Sequence, residues 1–358
     1  MKNIICVFIA FVVCSFFACQ KNDEDVDEMV KIIENNVYDV LKKNDNEENN
    51  DSTEYEDSII YDNSTEDDSS NIIFNKSFPD SIRMNINARC TPEYSLFVAH
   101  AGGRLFGPPN SIPAFVGSAM IGMWGCETDI RPTADGVLVC YHDNAVDDGT
   151  DGTGMVNELT YEQISKLKIK DYSNSKTFYD YSKYSQHDLR IPTAEEFIYI
   201  CLSYKMVPVF HVKTWTAIKQ LVKLIDKYGL NGKCLIASTI PDHFRMVRET
   251  GSQERVHLFW GHSSNIDEML SYGNASFSYD ISDPDDDIAG KEDYGDYHPT
   301  KTYELIDMCN QLGMNACLKG TNQIERAKKL ADMGVAFITT DYLYTDEGVN
   351  TGIVEIKH

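Results

Sequence analysis

Glu127 and Asp129 stand two residues apart in a run of strand character, so their carboxylates leave the same face of an extended strand. Ala134-Asp135-Gly136 reads as a hairpin turn, with Gly136 free to take positive φ, and Val137 to Tyr141 runs back. Pairing across that turn predicts His142 roughly opposite Asp129. Two carboxylates and an imidazole gathered by local geometry have the composition of a metal-assisted acid/base site. A structural salt-bridge pair is the plainer reading of the two acids. Arg131 is the only basic residue within three positions of either, which favours ligation.

Further chemistry-bearing residues close other apolar runs. Phe97-Val98-Ala99-His100 reads as a buried strand ending in a histidine and a Gly-Gly turn, and Val207-Pro-Val-Phe-His-Val-Lys213 ends in His211 and Lys213 on one face. The segment from Pro109 to Gly125 reads as a turn, an amphipathic helix and a Gly-terminated entry to the next strand. After Phe97 short apolar strands alternate with amphipathic helical runs, which favours a parallel α/β sheet. The candidate strands are Phe97–His100, Met123–Asp129, Pro208–Lys213, Cys234–Ser238, Val256–Trp260, Ala275–Asp280, Ala316–Lys319 and Ala336–Thr340. Eight strands predict a (β/α)8 TIM barrel with a small β-hairpin after strand 2. Active sites of such barrels lie at the C-terminal strand ends. His100, Glu127/Asp129, His211/Lys213, Asp280 and Lys319 all fall there.

The chain resembles the glycerophosphodiester phosphodiesterase family. The resemblance is carried by His100, Asn110-Ser111, Ala114-Phe115, Glu127, Asp129, Thr133, Asp135-Gly136 and His142-Asp143, without a gap from Glu127 to Asp143. Ile191-Pro192-Thr193 and Ile338-Thr339-Thr340-Asp341 match later segments of the family. The resemblance implies the same barrel and a metal-dependent phosphodiester hydrolase that releases an alcohol from a glycerophosphodiester or related phosphodiester. It implies His100 and His142 as the acid/base pair, with their order open, and Glu127 and Asp129 as ligands of one divalent cation. Lys213 suits a phosphate oxygen.

Three positions depart from the family pattern. Ala101 stands where the family has an arginine, Pro109 where it has a glutamate, and His211 where it has the next metal-binding carboxylate. Losing the arginine removes a bidentate phosphate clamp. As the third metal ligand, His211 makes the site softer and favours magnesium, manganese or zinc over calcium. As a relic it marks a catalytically inactive surface barrel that binds a phosphorylated or glycan ligand. Both readings stay open, and Asp280 is a candidate for the carboxylate missing at position 211. The Glu-x-Asp to His-Asp register speaks against the phosphoinositide-cleaving relatives of this barrel. Trp215 and the Tyr294–Tyr297 loop are candidate walls for a polar organic or sugar ligand.

The 358 residues divide into three stretches. Residues 1–18 read as a lipoprotein signal peptide, with Ala18-Cys19 resembling a bacterial lipobox and Cys19 as the lipidation site. Residues 19–90 read as an acidic, largely disordered tether, and residues 91–358 as the phosphodiesterase-like barrel. Residues 20–80 hold 19 acidic and 5 basic side chains, so −14 of the net charge of −24 lies there. Within the tether Val26, Val30, Ile33, Val37 and Val40 follow coiled-coil spacing, so an oligomer through the helix at 26–40 is one reading and weak docking the other. The acidic balance argues against nucleic acid and against anionic headgroups. The expected partners are a small-molecule phosphodiester and a membrane reached through the lipid anchor. That places the protein outside the cytoplasm, anchored to a bacterial membrane (an outer membrane, facing the periplasm or the surface). Seven of the ten cysteines follow the signal segment and form no C-x-x-C pair, which points to buried structural thiols.

Overall fold

All eight predicted strands are present in the computed structural model, which describes residues 78–79, 81–91, 95–120, 122–174, 177, 179–259, 265–280, 302–319 and 324–341. They are β1 (Phe97–Ala99), β2 (Gly125–Pro132), β4 (Val207–Val212), β5 (Leu235–Ser238), β6 (Arg255–Leu258), β7 (Ala275–Asp280), β8 (Asn315–Lys319) and β9 (Ile338–Thr340). Each pairs in parallel with the next, and β1 pairs with both β2 and β9, so the sheet returns on itself as a TIM barrel. Among the described residues the one antiparallel strand, β3 (Leu138–Cys140), is the predicted hairpin on β2. Gly136 takes φ of +81° in its turn, a conformation costly for residues with a Cβ.

Burial on both faces explains why these strands read as continuous apolar runs rather than alternating ones. β4 is buried along its whole length. Two of the helices start at caps that the sequence supplies. Thr193 and Glu196 form a reciprocal capping box at the start of α3 (Ala194–Ser203), as Thr160 and Gln163 do for α2 (Tyr161–Ile164). In α4 (Ile218–Lys227) the buried residues Ile218, Leu221 and Ile225 follow the 3–4 spacing of one apolar stripe.

The helix predicted as amphipathic after Pro109 is α1 (Ile112–Met120), but it is buried from Ile112 to Ala119. It lies under the loop that follows β1 and against α3, with the Phe115 and Phe197 rings 4.8 Å apart. Gly117 makes that covering possible, because a Cβ there would come within 2.2 Å of Phe106 Cβ. Between Tyr141 and Pro192 the chain leaves the barrel and builds a satellite cluster from Tyr141, Val146, Val156, Ile164, Ile169 and Ile191.

Residues 81–91, mostly within the stretch read as tether, lie across the strand starts, opposite the predicted active face. Ile82 O accepts from Trp124 Nε1 at 3.0 Å and Ile86 O from Arg255 Nη1 at 2.6 Å, while Cys90 N donates to Val335 O at 3.1 Å. The described body therefore begins before position 91. Residues 1–77 lie outside the described residues. The signal segment, Cys19 and the helix at 26–40 thus lie outside them, as does the Tyr294–Tyr297 loop. Among the described residues no helix is long and apolar enough to cross a membrane. The seven cysteines after the signal segment are all free and buried. Burial raises their thiols, to about 12 for Cys90 and Cys309, so they are poor nucleophiles.

A buried histidine inside the barrel makes stability pH-dependent. His257 is fully buried on β6, with Nδ1 at 2.8 Å from Ser276 Oγ, Nε2 unpartnered and its ring against Phe259 and Phe337. Burial, then the positive charges of His211 and Arg255, pulls its pKa from 6.5 to about 3. Below pH 6.5 the unfolded chain takes up a proton that the folded chain refuses, so stability falls as pH falls. The slope is about 1.4 kcal/mol per pH unit, or about 2 kcal/mol between pH 6.5 and 5. Urea unfolding of the parent and of His257→Gln at pH 7 and pH 5 should show a shallower acid loss in the variant, by about one proton. Equal slopes would remove His257 as the cause.

Candidate functional site

Register sets the centre of the site. Asp129 on β2 lies level with His211 on β4, and Glu127 is two residues back on the same face. His211 Nδ1 is 3.2 Å from Asp129 Oδ1 and 3.4 Å from Glu127 Oε1. These three buried side chains form a group whose ligand atoms all lie within 4.8 Å of one another. Lys213, just beyond β4, places Nζ 3.4 Å from Asp129 Oδ1.

The loop after β1 and its return at Asn110 hold the two carboxylates. Ala101 N donates to Glu127 Oε2 at 2.6 Å. To do so Ala101 takes a left-handed conformation, φ +49° and ψ +37°, uncommon for a residue with a Cβ. Asn110, also left-handed, donates Nδ2 to Asp129 Oδ2 at 2.8 Å, and its Oδ1 accepts from Thr128 Oγ1 and Asp129 N. Glu127 Oε1 stays buried without a hydrogen-bond partner, because His211 meets it at ion-pair distance but not in hydrogen-bonding geometry.

The charges here hold one another. Burial opposes ionisation of Asp129, but the hydrogen bond and charge of His211, then Lys213, keep its carboxyl well below the usual range. Burial likewise opposes charge on His211, and Asp129 followed by Glu127 outweighs it, so the imidazole holds its proton above the usual pH. The buried, unsatisfied Glu127 oxygen and the mixed oxygen–nitrogen donor set fit a divalent cation in place of that proton.

The two predicted catalytic histidines flank this centre on separate elements. His100 follows β1, and because Ala99 pairs with Thr340, the next residue on each strand brings His100 beside Asp341. His100 Nδ1 is 2.7 Å from Asp341 Oδ1. A carboxylate only accepts, so His100 donates to it from Nδ1. His142 is exposed, with Nδ1 2.7 Å from Asp143 Oδ1. Its expected place opposite Asp129 is off by one residue. Tyr141 N donates to Asp129 O at 2.9 Å, because the hairpin pairs Ile130 with Cys140 and ends there. Arg131 fixes the exit loop instead, donating to His142 O at 2.9 Å and Asn144 Oδ1 at 2.7 Å.

All six predicted site residues thus lie at the C-terminal ends of β1, β2 and β4 or just beyond the β3 hairpin. The side chains of Asp280 and Lys319 lie outside the described residues. Trp215, in the turn after Lys213, is mostly exposed. Sequence reasoning gave no role to Asn110, Asp341 or Arg131. For Asp341 a signal existed, since closing the barrel makes the residue after β9 the neighbour of the residue after β1.

The sequence model of the Glycerophosphoryl diester phosphodiesterase family matches residues 100–345, more than half of the chain. The chain belongs to that family. It is 35% identical over 156 residues to human glycerophosphodiester phosphodiesterase 1, covering 43% of this chain and 45% of that protein. The chain thus spans less than half the length of that curated relative. As a glycerophosphoryl diester phosphodiesterase family member its barrel is also like solved ones. A glycerophosphodiester phosphodiesterase from Agrobacterium tumefaciens superposes with a TM-score of 0.56 at 16% identity, covering 70% of this chain and 97% of the other. An Oleispira antarctica phosphodiesterase, solved with the product sn-glycerol-3-phosphate, gives 0.56 at 16% identity over 73% and 97%.

Proposed function

We propose that the protein is a divalent-cation-dependent hydrolase of glycerophosphodiesters or closely related phosphodiesters. The carrying observation is the buried Glu127–Asp129–His211 group beside Lys213, at the strand-end face that also holds His100 and His142. Glu127, Asp129 and His211 would hold the cation, which supplies charge neutralisation and Lewis-acid polarisation of a phosphate oxygen. Lys213 meets a second phosphate oxygen as a point charge. One of His100 and His142 takes a proton from the attacking water as its oxygen bonds to phosphorus and the bond from phosphorus to the alcohol oxygen breaks. The other gives a proton to the alcohol oxygen that leaves. Asp341 and Asp143 hold each imidazole with its Nδ1 protonated, so Nε2 is the working nitrogen in both.

Hydrolysis of glycerophosphocholine, followed by release of sn-glycerol 3-phosphate with and without chelator, tests this reading. Turnover that chelator abolishes and a divalent cation restores is the expected result. Binding of sn-glycerol 3-phosphate without turnover of any phosphodiester would favour the inactive binding barrel instead.

Anchoring belongs to the same proposal. With Cys19 lipidated, the mature protein partitions into detergent, and Cys19→Ala stays soluble or unprocessed. Equal partitioning of parent and variant in a detergent phase separation would retire the anchor.

A further inference from the structure

One cation at the active face has no part in the reading above. Arg104 lies in the loop after His100, and its backbone N donates to Asp341 O at 3.0 Å. Its Nε lies 3.3 Å from Asp341 Oδ1, the same oxygen that His100 Nδ1 meets at 2.7 Å. Nε is buried and makes no hydrogen bond, yet the side chain is 37% exposed. The guanidinium is therefore held at its base by an ion pair, and its terminal nitrogens have no protein acceptor among the described residues.

A tyrosine on the other histidine's side of the site feels the Arg104 charge. The Tyr172 phenol is pushed up by burial and then by Asp143, and is drawn down by Arg104. Asp143 is the partner of His142. The same phenol thus feels both Arg104 and the carboxylate that holds His142. In a displacement at phosphorus, the base and the acid stand on either side of the phosphoryl group, and its non-bridging oxygens lie between them.

We propose that Arg104 is a substrate-binding residue that grips the non-bridging oxygens of the phosphate with its terminal nitrogens, opposite Lys213. This rests on the phosphodiesterase reading. Asp341 holds the base of the grip and Nδ1 of His100 together, so one carboxylate sets the distance between the bound phosphate and the working imidazole. A planar fork suits two phosphate oxygens where an ammonium does not.

The test compares the parent with Arg104→Gln and Arg104→Lys, all loaded with a divalent cation. Calorimetry with sn-glycerol 3-phosphate is run beside steady-state hydrolysis of glycerophosphocholine. Removing one charged, two-point contact should weaken the phosphate monoester about 10- to 100-fold. KM should rise by a similar factor with a smaller change in kcat, Arg104→Lys should recover part of the loss, and the melting temperature should hold. A fall in kcat with KM and binding unchanged would overturn the proposal, because Arg104 would then only brace Asp341. Unchanged binding and turnover in Arg104→Gln would overturn it equally. If the parent binds the monoester without turning over a diester, the phosphodiesterase reading fails, and the binding arm still decides Arg104.

Discussion

Asp129→Ala is expected to abolish divalent-cation binding and to lower phosphodiester turnover by about a thousandfold or more. Asp129 is in contact with both cationic groups of the centre. His211 Nδ1 and Lys213 Nζ approach its Oδ1, and Asn110 Nδ2 donates to its Oδ2. Removing the carboxylate takes away one of two negative ligands and also the anchor of the lysine. Losing several kcal/mol of charge stabilisation is a loss of roughly three orders of magnitude in rate. Asp129→Asn separates charge from shape, since the amide keeps the volume and can still meet Asn110. It should fold as the parent does and remain inactive. Calorimetry with magnesium, manganese and calcium, together with glycerophosphocholine hydrolysis, checks both variants. Retention of a tenth of parental turnover by either would remove Asp129 from the centre.

How much of this site the sequence discloses depends on the range of the contact that builds it. Glu127 and Asp129 share a face because strand residues alternate, so their pairing is legible from two letters and a spacing. The strands are legible for a related reason, as each is a short apolar run between turn signals. The register of the hairpin is less so. The turn at Gly136 is plain, but whether Tyr141 or His142 faces Asp129 depends on which residue opens the turn, and one step moves every partner. The contacts of Asn110 and Asp341 are invisible locally. Asn110 reaches Asp129 only because α1 and its preceding loop fold back over β2, and Asp341 meets His100 only because β9 closes on β1. His211 shows the limit best: its letter suggests a ligand or a relic, and only its distances to two buried carboxylates reveal a counter-ion.

That counter-ion role gives the second large effect. Without a cation, two buried carboxylates stand side by side on one face of β2, and protonated His211 is the positive charge that meets both, aided by Lys213. His211→Glu replaces that charge with a third carboxylate. Leaving a buried charge uncompensated costs about 3–5 kcal/mol. For a body of this size that is on the order of 10 °C in melting temperature. The metal-free variant should therefore melt well below the metal-free parent, and calcium should restore most of the difference, since a third oxygen ligand suits a hard cation. The parent carries an opposite pH signature. His211 is raised in the fold, so its contribution is complete below the unfolded value of 6.5 and is lost as pH rises through the folded value. Metal-free parent should lose stability on the alkaline side of that range, and a bound cation should remove the loss by taking the place of the proton. Thermal melts of parent and His211→Glu, each with chelator and with calcium, at pH 6 and pH 9, decide it. If the chelated variant melts with the chelated parent, His211 is not the internal counter-ion, and the two carboxylates are neutralised in some other way.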